Sequence, residues 1–299
     1  MAIPEAQLNT WSHQGGITTA KNTADSVKNA LAKFDKWPQD AQHEVFLQGS
    51  YKNDTNIYGD SDVDIVAQLH SSWYRDLTSL SVEEAKVYEQ TYGDAQYDWS
   101  KFRSDVIKAL QQYFDQTNVR EGKKCLKVSA SSGRLPADAV AAIDHRKYTR
   151  FHSVSDFRYI EGMKFFVPSE NRWVINYPKQ HYENGVAKNG STGSYYKALV
   201  RIFKNARTYL VDNRQLTKEI APSYFLECLL YNVPNANFGT SYQMSFSNIL
   251  KWLSQNDIRA LVCQNGFVPL FDGSPEQWSL GNAKVSIDAL IRLWNNWNK

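Results

Sequence analysis

The sequence has little excess charge of either sign and no long hydrophobic run. Its 299 residues include 34 Lys and Arg against 31 Asp and Glu, which leaves a formal net charge of +3. This excess is too small for a general binder of nucleic acid or of membrane surfaces, so any site for a polyanion must be local. No stretch of about 18 apolar residues occurs, and we therefore expect no membrane-spanning helix.

Cysteine is also scarce. Cys125, Cys228 and Cys263 lie far apart and show neither a C-x-x-C motif nor the spacing of a disulfide framework, which is typical of a reducing compartment. The first residues, MAIPEAQLNTWS, lack the basic and apolar segments of a secretory signal. We therefore expect a cytoplasmic protein with no membrane partner.

Several catalytic motifs are missing. The six His residues form no H-E-x-x-H motif and do not cluster with Cys. The segment GVAKNGST (185–192) approaches the spacing of a phosphate-binding P-loop, but Ser191 stands where that motif requires Lys. No G-x-S-x-G, G-x-G-x-x-G or kinase motif set is present. The chemistry must therefore be sought in another pattern.

The composition is that of a globular protein, with 42% hydrophobic and 22% charged residues. Hydrophobic periodicity predicts alternating helices and strands followed by a helical half, with a boundary near Asn176 that gives domains of 1–175 and 176–299. The predicted helices are 17–36, 100–114, 179–188, 193–213, 218–232, 243–255 and 283–297. The predicted strands are 43–47, 63–69, 125–130, 135–143 and a hairpin of 164–167 with 173–175, and 71–98 is predicted to be an insertion or lid-like loop with a short helix.

The most informative segment is 45–69, VFLQGSYKNDTNIYGDSDVDIVAQL. It begins as an apolar strand that ends at Gly49-Ser50, where small residues let backbone N–H groups and a hydroxyl approach phosphate oxygens. Asp62 and Asp64 follow, and alternation along a strand places both carboxylates on one face. Such a pair repels itself unless a cation lies between, and oxygen-only ligands suit Mg²⁺ or Mn²⁺. The alternative is a polar strand end whose acids only cap a turn.

This segment resembles the signature of the DNA polymerase beta-type nucleotidyltransferases. Gln48-Gly49-Ser50 followed by Asp60-Ser61-Asp62-Val63-Asp64 is most similar to the bacterial cGAS/DncV-like nucleotidyltransferases. The resemblance implies an α+β fold, in which a catalytic core with a mixed sheet and helices is joined to a C-terminal helical domain and the active site lies in the cleft between them. It also implies that Gln48, Gly49 and Ser50 contact the nucleotide.

The same family requires a third carboxylate on a neighbouring strand. Asp138, within the apolar segment LPADAV (135–140), fits this requirement. The rival is Asp144, which begins the basic segment Asp144-His145-Arg146-Lys147. We expect that segment to be a turn after the strand, where the carboxylate caps or pairs, and we therefore choose Asp138.

The helical half offers cations and an aromatic ring. Lys197, Arg201 and Lys204 recur at helical spacing and form either a binding stripe or a solvated basic face. The pattern of Lys204 followed by Ser223-Tyr224 resembles the family's contacts to the donor triphosphate, in which Lys and Ser touch phosphates and Tyr stacks on a base. The alternative is that Ser223 is only an N-cap and Tyr224 only a core residue.

Asn176 stands where family members place a side chain that contacts a nucleobase edge. An amide can read a purine or a pyrimidine. The alternative is again a cap, since Asn176 precedes a predicted helix with Pro178 two residues on.

The resemblance implies synthesis of a cyclic di- or trinucleotide messenger from ribonucleoside triphosphates in antiphage defence (CBASS), where the product activates an effector protein. Two Mg²⁺ ions, or Mn²⁺, would be held by Asp62, Asp64 and Asp138, with Asp138 as general base. Because the zinc thumb of animal cyclic GMP-AMP synthase is missing, we expect no activation by nucleic acid, and we expect a monomer. The alternatives are transfer to another acceptor, such as an antibiotic, a protein hydroxyl or an RNA end, and an inactive nucleotide-binding module.

Overall fold

The structure is a computed structural model that describes residues 2–59 and 62–297. It divides into two compact units. The sheet unit comprises residues 16–51 and 62–179, and the helical unit comprises 2–15, 52–59 and 180–297. No helix in the described part of the chain has the length and apolar character needed to cross a membrane.

Within residues 16–51 and 62–179, the sheet unit contains seven strands in one mixed sheet and most of the N-terminal helices. Its strands are β1 (His43–Leu47), β2 (Val63–Asp76), β3 (Val119–Glu121), β4 (Leu126–Val128), β5 (Ala137–Ser153), β6 (Asp156–Val167) and β7 (Arg172–Asn176). The order is β1-β2-β5-β4-β3, and β6 joins β5 to β7. Only the β2–β5 pair is parallel among the pairs described.

Helices α2 (Thr18–Ala32) and α5 (Trp99–Phe114) pack on this sheet in one core, and α4 (Val82–Thr91) packs on it in a separate one. The short α3 (Gly49–Asn53) follows β1 directly. Val27, Leu31, Phe102 and Val106 pack with the buried residues of β2 and β5 in one core. The amphipathic spacing of α2 and α5 explains this packing, because residues three and four apart share one face.

The helical unit is built from α1 (Glu5–Ser12), α6 (Pro178–Ser191), α7 (Tyr195–Asp212), α8 (Ser223–Tyr231), α9 (Tyr242–Gln255) and α10 (Leu280–Asn295). Helix α7 supplies much of the core, and Leu199, Ile202 and Phe203 are fully buried. Ile3 and Leu8 are also fully buried in this core. The division expected at residue 176 of the linear chain therefore differs from the compact units, since an N-terminal segment packs with the C-terminal helices.

Most predicted elements are present, with different ends. The predicted strand at 63–69 continues to Asp76, so the segment 71–98 is not mainly a loop. It also contains α4, which begins with a capping box in which Ser81 and Glu84 bond each other's backbone N–H groups. Tyr88 of α4 packs on Tyr148 and Phe151 of β5 in a separate small core. This aromatic cluster explains why the segment is ordered although its sequence is polar.

Candidate active site

The turn between β1 and α3 lies against the carboxylate of Asp64. The backbone N–H of Gln48 donates to the carbonyl oxygen of Asp64 at 2.9 Å. Gly49 has φ of +67°, and a Cβ placed on it would lie 2.1 Å from Oδ2 of Asp64. Two features therefore require glycine at this position: the left-handed backbone conformation and the close approach of the Asp64 carboxylate. Ser50 follows as the second residue of α3.

Asp64 and Asp138 are direct neighbours in the sheet. In the parallel pairing of β2 with β5, Asp64 is the register partner of Asp138. Side chains of register partners lie on the same face, on strands about 4.8 Å apart. Asp62 is exposed and comes directly before β2. Asp60 and Ser61, which belong to the same sequence signature, lie outside the described residues.

A lysine and a cysteine beside Asp138 were missed by the sequence analysis. Lys127 of β4 is the register partner of Asp138 on its other side, and Nζ lies 3.9 Å from Oδ1 of Asp138. Burial, the nearby charge of Asp138 and a hydrogen bond to Asp138 raise the pKa of the Cys125 thiol to about 12. Cys125 is therefore a protonated thiol at neutral pH and not a nucleophile. No motif marks either residue, and only the pairing of β4 with β5 could have found Lys127.

The donor set suits a hard divalent cation, since Asp62, Asp64 and Asp138 offer only carboxylate oxygens. Because Gly49 has no Cβ, the turn that contains it can lie directly beside the carboxylate of Asp64. Among residues 2–59 and 62–297, no three His, Cys, Asp or Glu side chains are already grouped as a metal site. Metal binding by these three carboxylates therefore stays a prediction.

Asp144 is bonded to other side chains of the sheet unit. The prediction that it lies in a turn is wrong. It lies within the long strand β5 and is 5% exposed. Its carboxylate accepts hydrogen bonds from Nε2 of Gln68 at 2.8 Å and from Arg146 at 3.2 Å, and it lies 2.7 Å from Nδ1 of His70. The strand continues past Asp144 because β6 pairs with it as far as Ser153. These partners account for a buried carboxyl group at this position.

In the helical unit, the basic stripe of α7 binds the segment 52–59. Nζ of Lys197 donates to Asp54 at 2.8 Å, and the guanidinium of Arg201 donates to the carbonyl oxygens of Asp54 and Ser12. Lys204 is 1% exposed, and its Nζ donates to the carbonyl oxygen of Thr55 at 2.8 Å. The stripe is thus not a solvated basic face. It holds the chain segment that directly follows α3.

Ser223 and Tyr224 are the first two residues of α8. Ser223 is not the N-cap of this helix, and Tyr224 is not a core residue. Pro222 is the N-cap, and Ser223 accepts a hydrogen bond from Arg207 at 3.2 Å through its hydroxyl. Tyr224 is 45% exposed and so is not a core residue. Its ring stacks on His181, with centroids 5.3 Å apart and planes 19° from parallel. The helical unit therefore presents a hydroxyl and an accessible aromatic ring on adjacent residues.

Asn176 is the last residue of β7, in the sheet unit, and pairs with Met163 of β6. The next residue, Tyr177, lies over Gly162, where a Cβ would come within 2.9 Å of the Tyr177 ring. Tyr177 also contacts the ring of His145, with centroids 6.1 Å apart. The position of Asn176 at the end of β7 is thus fixed by strand pairing on one side and by a packed ring on the other.

Comparisons with known proteins identify the family of the chain. Residues 183–295 match the model of the cGAS/DncV-like nucleotidyltransferase C-terminal helical domain. The chain is 48% identical over its full length to the whole of a cyclic UMP-AMP synthase of Rhodothermus marinus. It is 39% identical, over 99% of this chain and all of the relative, to the cyclic nucleotide synthase CdnE01 of Staphylococcus haemolyticus.

A solved structure gives the same result. The Rhodothermus marinus CdnE c-UMP-AMP synthase with Apcpp and Upnpp matches with a TM-score of 0.90, covering 99% of this chain and 98% of that chain at 48% identity. An identity of this size over the whole length confirms the α+β nucleotidyltransferase fold with its C-terminal helical domain. The chain belongs to the cGAS/DncV-like nucleotidyltransferases, enzymes of the polymerase beta-type fold.

Proposed function

We propose that this enzyme joins UTP and ATP into cyclic UMP-AMP, with Asp62, Asp64 and Asp138 as its catalytic carboxylates. The observation that carries the proposal is the register of Asp64 with Asp138 on parallel strands, beside the Gly49 turn. The choice of bases rests on the 48% identity to a cyclic UMP-AMP synthase over both full lengths. An amide at Asn176, which can contact the edge of a pyrimidine, is consistent with this choice.

In the proposed reaction, a ribose hydroxyl of one nucleotide attacks the α-phosphate of the other in line, and pyrophosphate leaves. A second transfer of the same kind closes the ring. Asp138 takes the proton of the attacking hydroxyl, and the ammonium of Lys127 lies beside the same carboxylate. Bound by the three carboxylates, divalent metal ions, Mg²⁺ or Mn²⁺, would stabilise the charge that develops on the phosphate oxygens.

The other residues bind and orient the donor. A backbone turn at Gly49-Ser50 offers N–H groups and a hydroxyl to phosphate oxygens. Ser223 contributes a hydroxyl at the start of α8, and Tyr224 an accessible ring for a nucleobase. Lys204 is 1% exposed and donates to the carbonyl oxygen of Thr55, so its part in this arrangement is to hold the segment 52–59. Holding both nucleotides in a reactive geometry accounts for a large part of the rate enhancement in such transfers.

The proposed role in the cell is antiphage signalling, in which the cyclic dinucleotide activates an effector protein. Membership of the cGAS/DncV-like family supports this role. The matching test compares phage plating on cells that carry the intact gene with its neighbours and on cells that carry the Asp64→Asn variant. Protection that is identical in the two strains would contradict it.

The enzymatic test uses the purified protein with Mg²⁺ or Mn²⁺ and all four ribonucleoside triphosphates, followed by phosphatase treatment and mass spectrometry. We expect a phosphatase-resistant product with the mass of cyclic UMP-AMP, absent from Asp62→Asn, Asp64→Asn and Asp138→Asn. The exposed Asp40 supplies a matched control, and Asp40→Asn should retain activity. A product with other bases would overturn the assignment of UTP and ATP, and no cyclic product under either metal would overturn the proposed activity.

A further inference from the structure

The ring of Tyr224 is supported from behind by a buried histidine. His181 is 7% exposed, whereas Tyr224 is 45% exposed. Their rings stack with centroids 5.3 Å apart and planes 19° from parallel, so His181 covers one face of Tyr224. Phe225 contacts Tyr224 nearly edge-on, at 5.4 Å and 71°. An aromatic ring that is covered on one face and accessible elsewhere is a suitable platform for a planar ligand.

His181 of α6 contacts a second residue of α8, Glu227, in addition to Tyr224. Tyr224 and Glu227 are three residues apart on α8 and so lie on one face. Nε2 of His181 lies 3.2 Å from Oε1 of Glu227. The imidazole therefore spans two neighbours, with its ring on Tyr224 and its nitrogen on Glu227. An aliphatic side chain could do neither, and a phenyl ring could do only the first.

Glu227 is itself tightly bound, which makes it a fixed anchor. It is 5% exposed and accepts a hydrogen bond from the hydroxyl of Thr55 at 3.1 Å. Nε2 of Gln264 lies 3.4 Å from Oε1 of Glu227 and donates to the carbonyl oxygen of His181 at 2.7 Å. Gly185 permits this approach, since a Cβ there would lie 2.4 Å from Nε2 of Gln264. The histidine is thus fixed at both its backbone and its ring.

Nδ1 of His181 is buried and has no hydrogen-bond partner among residues 2–59 and 62–297. A buried polar atom without a hydrogen-bond partner lowers the stability of the folded protein. A phenylalanine at this position would avoid this loss of stability and still cover Tyr224. Stacking on Tyr224 therefore requires only a flat ring, and the hydrogen bond to Glu227 is the contact that an imidazole adds.

We propose that His181 is a positioning residue for the nucleobase of the donor triphosphate, because it fixes the plane of the Tyr224 ring on which that base stacks. The proposal rests on the proposed function, since it assigns Tyr224 to base binding. It adds a residue that does not touch the substrate and acts only through Tyr224. Loss of His181 should therefore weaken the affinity for the nucleotide and leave the rate of the chemical step unchanged.

The test separates the ring from the hydrogen bond with two substitutions. His181→Phe keeps the flat ring and loses the bond to Glu227, whereas His181→Gln keeps a polar group and loses the ring. We expect His181→Gln to raise KM for the donor triphosphate about fivefold to tenfold with kcat within about twofold, since base stacking contributes about 1–3 kcal/mol. His181→Phe should keep KM within about threefold of wild type. His13→Ala, which removes an exposed histidine of the same unit, is the matched control and should change neither quantity.

A double variant tests whether the effect passes through Tyr224. In a Tyr224→Ala background, His181→Gln should raise KM no further, because the ring that it positions is gone. Additive effects of the two substitutions would overturn the proposal. An equal rise in KM for the Phe and Gln variants, or a fall in kcat at unchanged KM, would also overturn it, because each indicates a role in folding or chemistry instead.

Equilibrium binding keeps this result separate from the proposed function. Titration of the wild type and the His181 variants with the non-hydrolysable analogue Apcpp measures affinity without turnover. A higher Kd for His181→Gln than for His181→Phe supports the positioning role even if no cyclic product forms. Equal Kd values in an enzyme that makes the product would overturn the positioning role alone. Thermal unfolding of each variant identifies any substitution that only unfolds the protein.

Discussion

Single residues control the geometry at Asp64, and Gly49 is the sharpest example. A Cβ at Gly49 would lie 2.1 Å from Oδ2 of Asp64, which forces the carboxylate or the turn to move. We expect Gly49→Ala to lower kcat/KM at least about 100-fold, since a misplacement of about 1 Å has an effect of this size. Gly133 offers a matched control, with φ of +78° and no atom within 4 Å of its Cβ position. Gly133→Ala therefore shares the backbone strain without the clash and should keep its activity. Similar activity in the two variants would show that the contact is unimportant.

His145 gives a prediction for stability against pH. The residue is 2% exposed, and burial lowers its pKa to about 4, with Lys164 and Lys147 acting in the same direction and Asp76 opposing them. The unfolded chain, with a pKa near 6.5, therefore binds more protons than the folded chain between about pH 4 and 6.5. The stability from this neutral imidazole is complete above pH 6.5 and is lost as the pH falls.

We expect this group to remove about 2 kcal/mol of the free energy of unfolding between pH 7 and pH 5. Urea unfolding of wild type and His145→Gln at both pH values isolates the contribution, because all other groups are shared. The variant should lose about 2 kcal/mol less than wild type over this interval. His152→Gln, which changes an exposed histidine, should follow the wild type. Parallel losses in all three proteins would contradict the assignment.

At the scale of the element, α7 fixes the start of α8 through one buried side chain. Arg207 is 3% exposed, and its guanidinium donates to the carbonyl oxygen of Ala221 at 2.7 Å and to the hydroxyl of Ser223 at 3.2 Å. A lysine keeps the charge but lacks the planar fork that reaches both acceptors. We expect Arg207→Lys to reduce the free energy of unfolding by about 1.5–3 kcal/mol, the contribution of a hydrogen bond to a charged group.

The same substitution should raise KM for the triphosphate several-fold, because Ser223 loses the partner that orients its hydroxyl. Arg259→Lys is the control, since Arg259 is exposed and pairs only with Asp257 in the contacts described. Chemical unfolding and steady-state kinetics of both variants measure the two effects. A stability loss at Arg207 without any change in KM would confine the role of this residue to folding.

The sequence predicted elements well where one local pattern determines them. Strand β1 matches the prediction at both ends, because an apolar run is followed by a glycine with positive φ. Strands β2 and β5 extend far beyond the predicted ends. Their outer parts are polar, so periodicity gives no signal there. They are strands because β6 and the aromatic residues around α4 cover them, and these partners are distant in sequence.

The candidate site divides in the same way. Gly49 and Asp64 belong to one continuous segment, and their close approach follows from a strand and a turn. The placement of Lys127 beside Asp138 depends on the pairing of two strands. The stacking of His181 on Tyr224 depends on the packing of α6 against α8. Such neighbours come from tertiary structure, and nothing in the residues adjacent to them indicates the contact.

At the scale of the whole molecule, the helical unit is assembled from segments that are far apart in the chain. Glu5 of α1 accepts hydrogen bonds from the backbone N–H groups of Tyr242 and Gln243 at the start of α9, at 2.8 and 2.7 Å. A carboxylate at a helix N-terminus binds the unpaired N–H groups and interacts favourably with the helix dipole. The N-terminal segment is thus a component of the helical core and of its polar contacts.

The consequence is that a substitution in the first helix should destabilise the C-terminal half. Leu8 is fully buried in the helical core, and Leu8→Ala should reduce the free energy of unfolding by about 2–5 kcal/mol. The neighbouring Asn9 is exposed, so Asn9→Ala should change it by less than about 0.5 kcal/mol. Trp11, which contacts Tyr209 and Trp297, provides a fluorescence signal within the same unit. If residues 2–15 were a loosely attached tail, urea unfolding of the two variants would give the same midpoint.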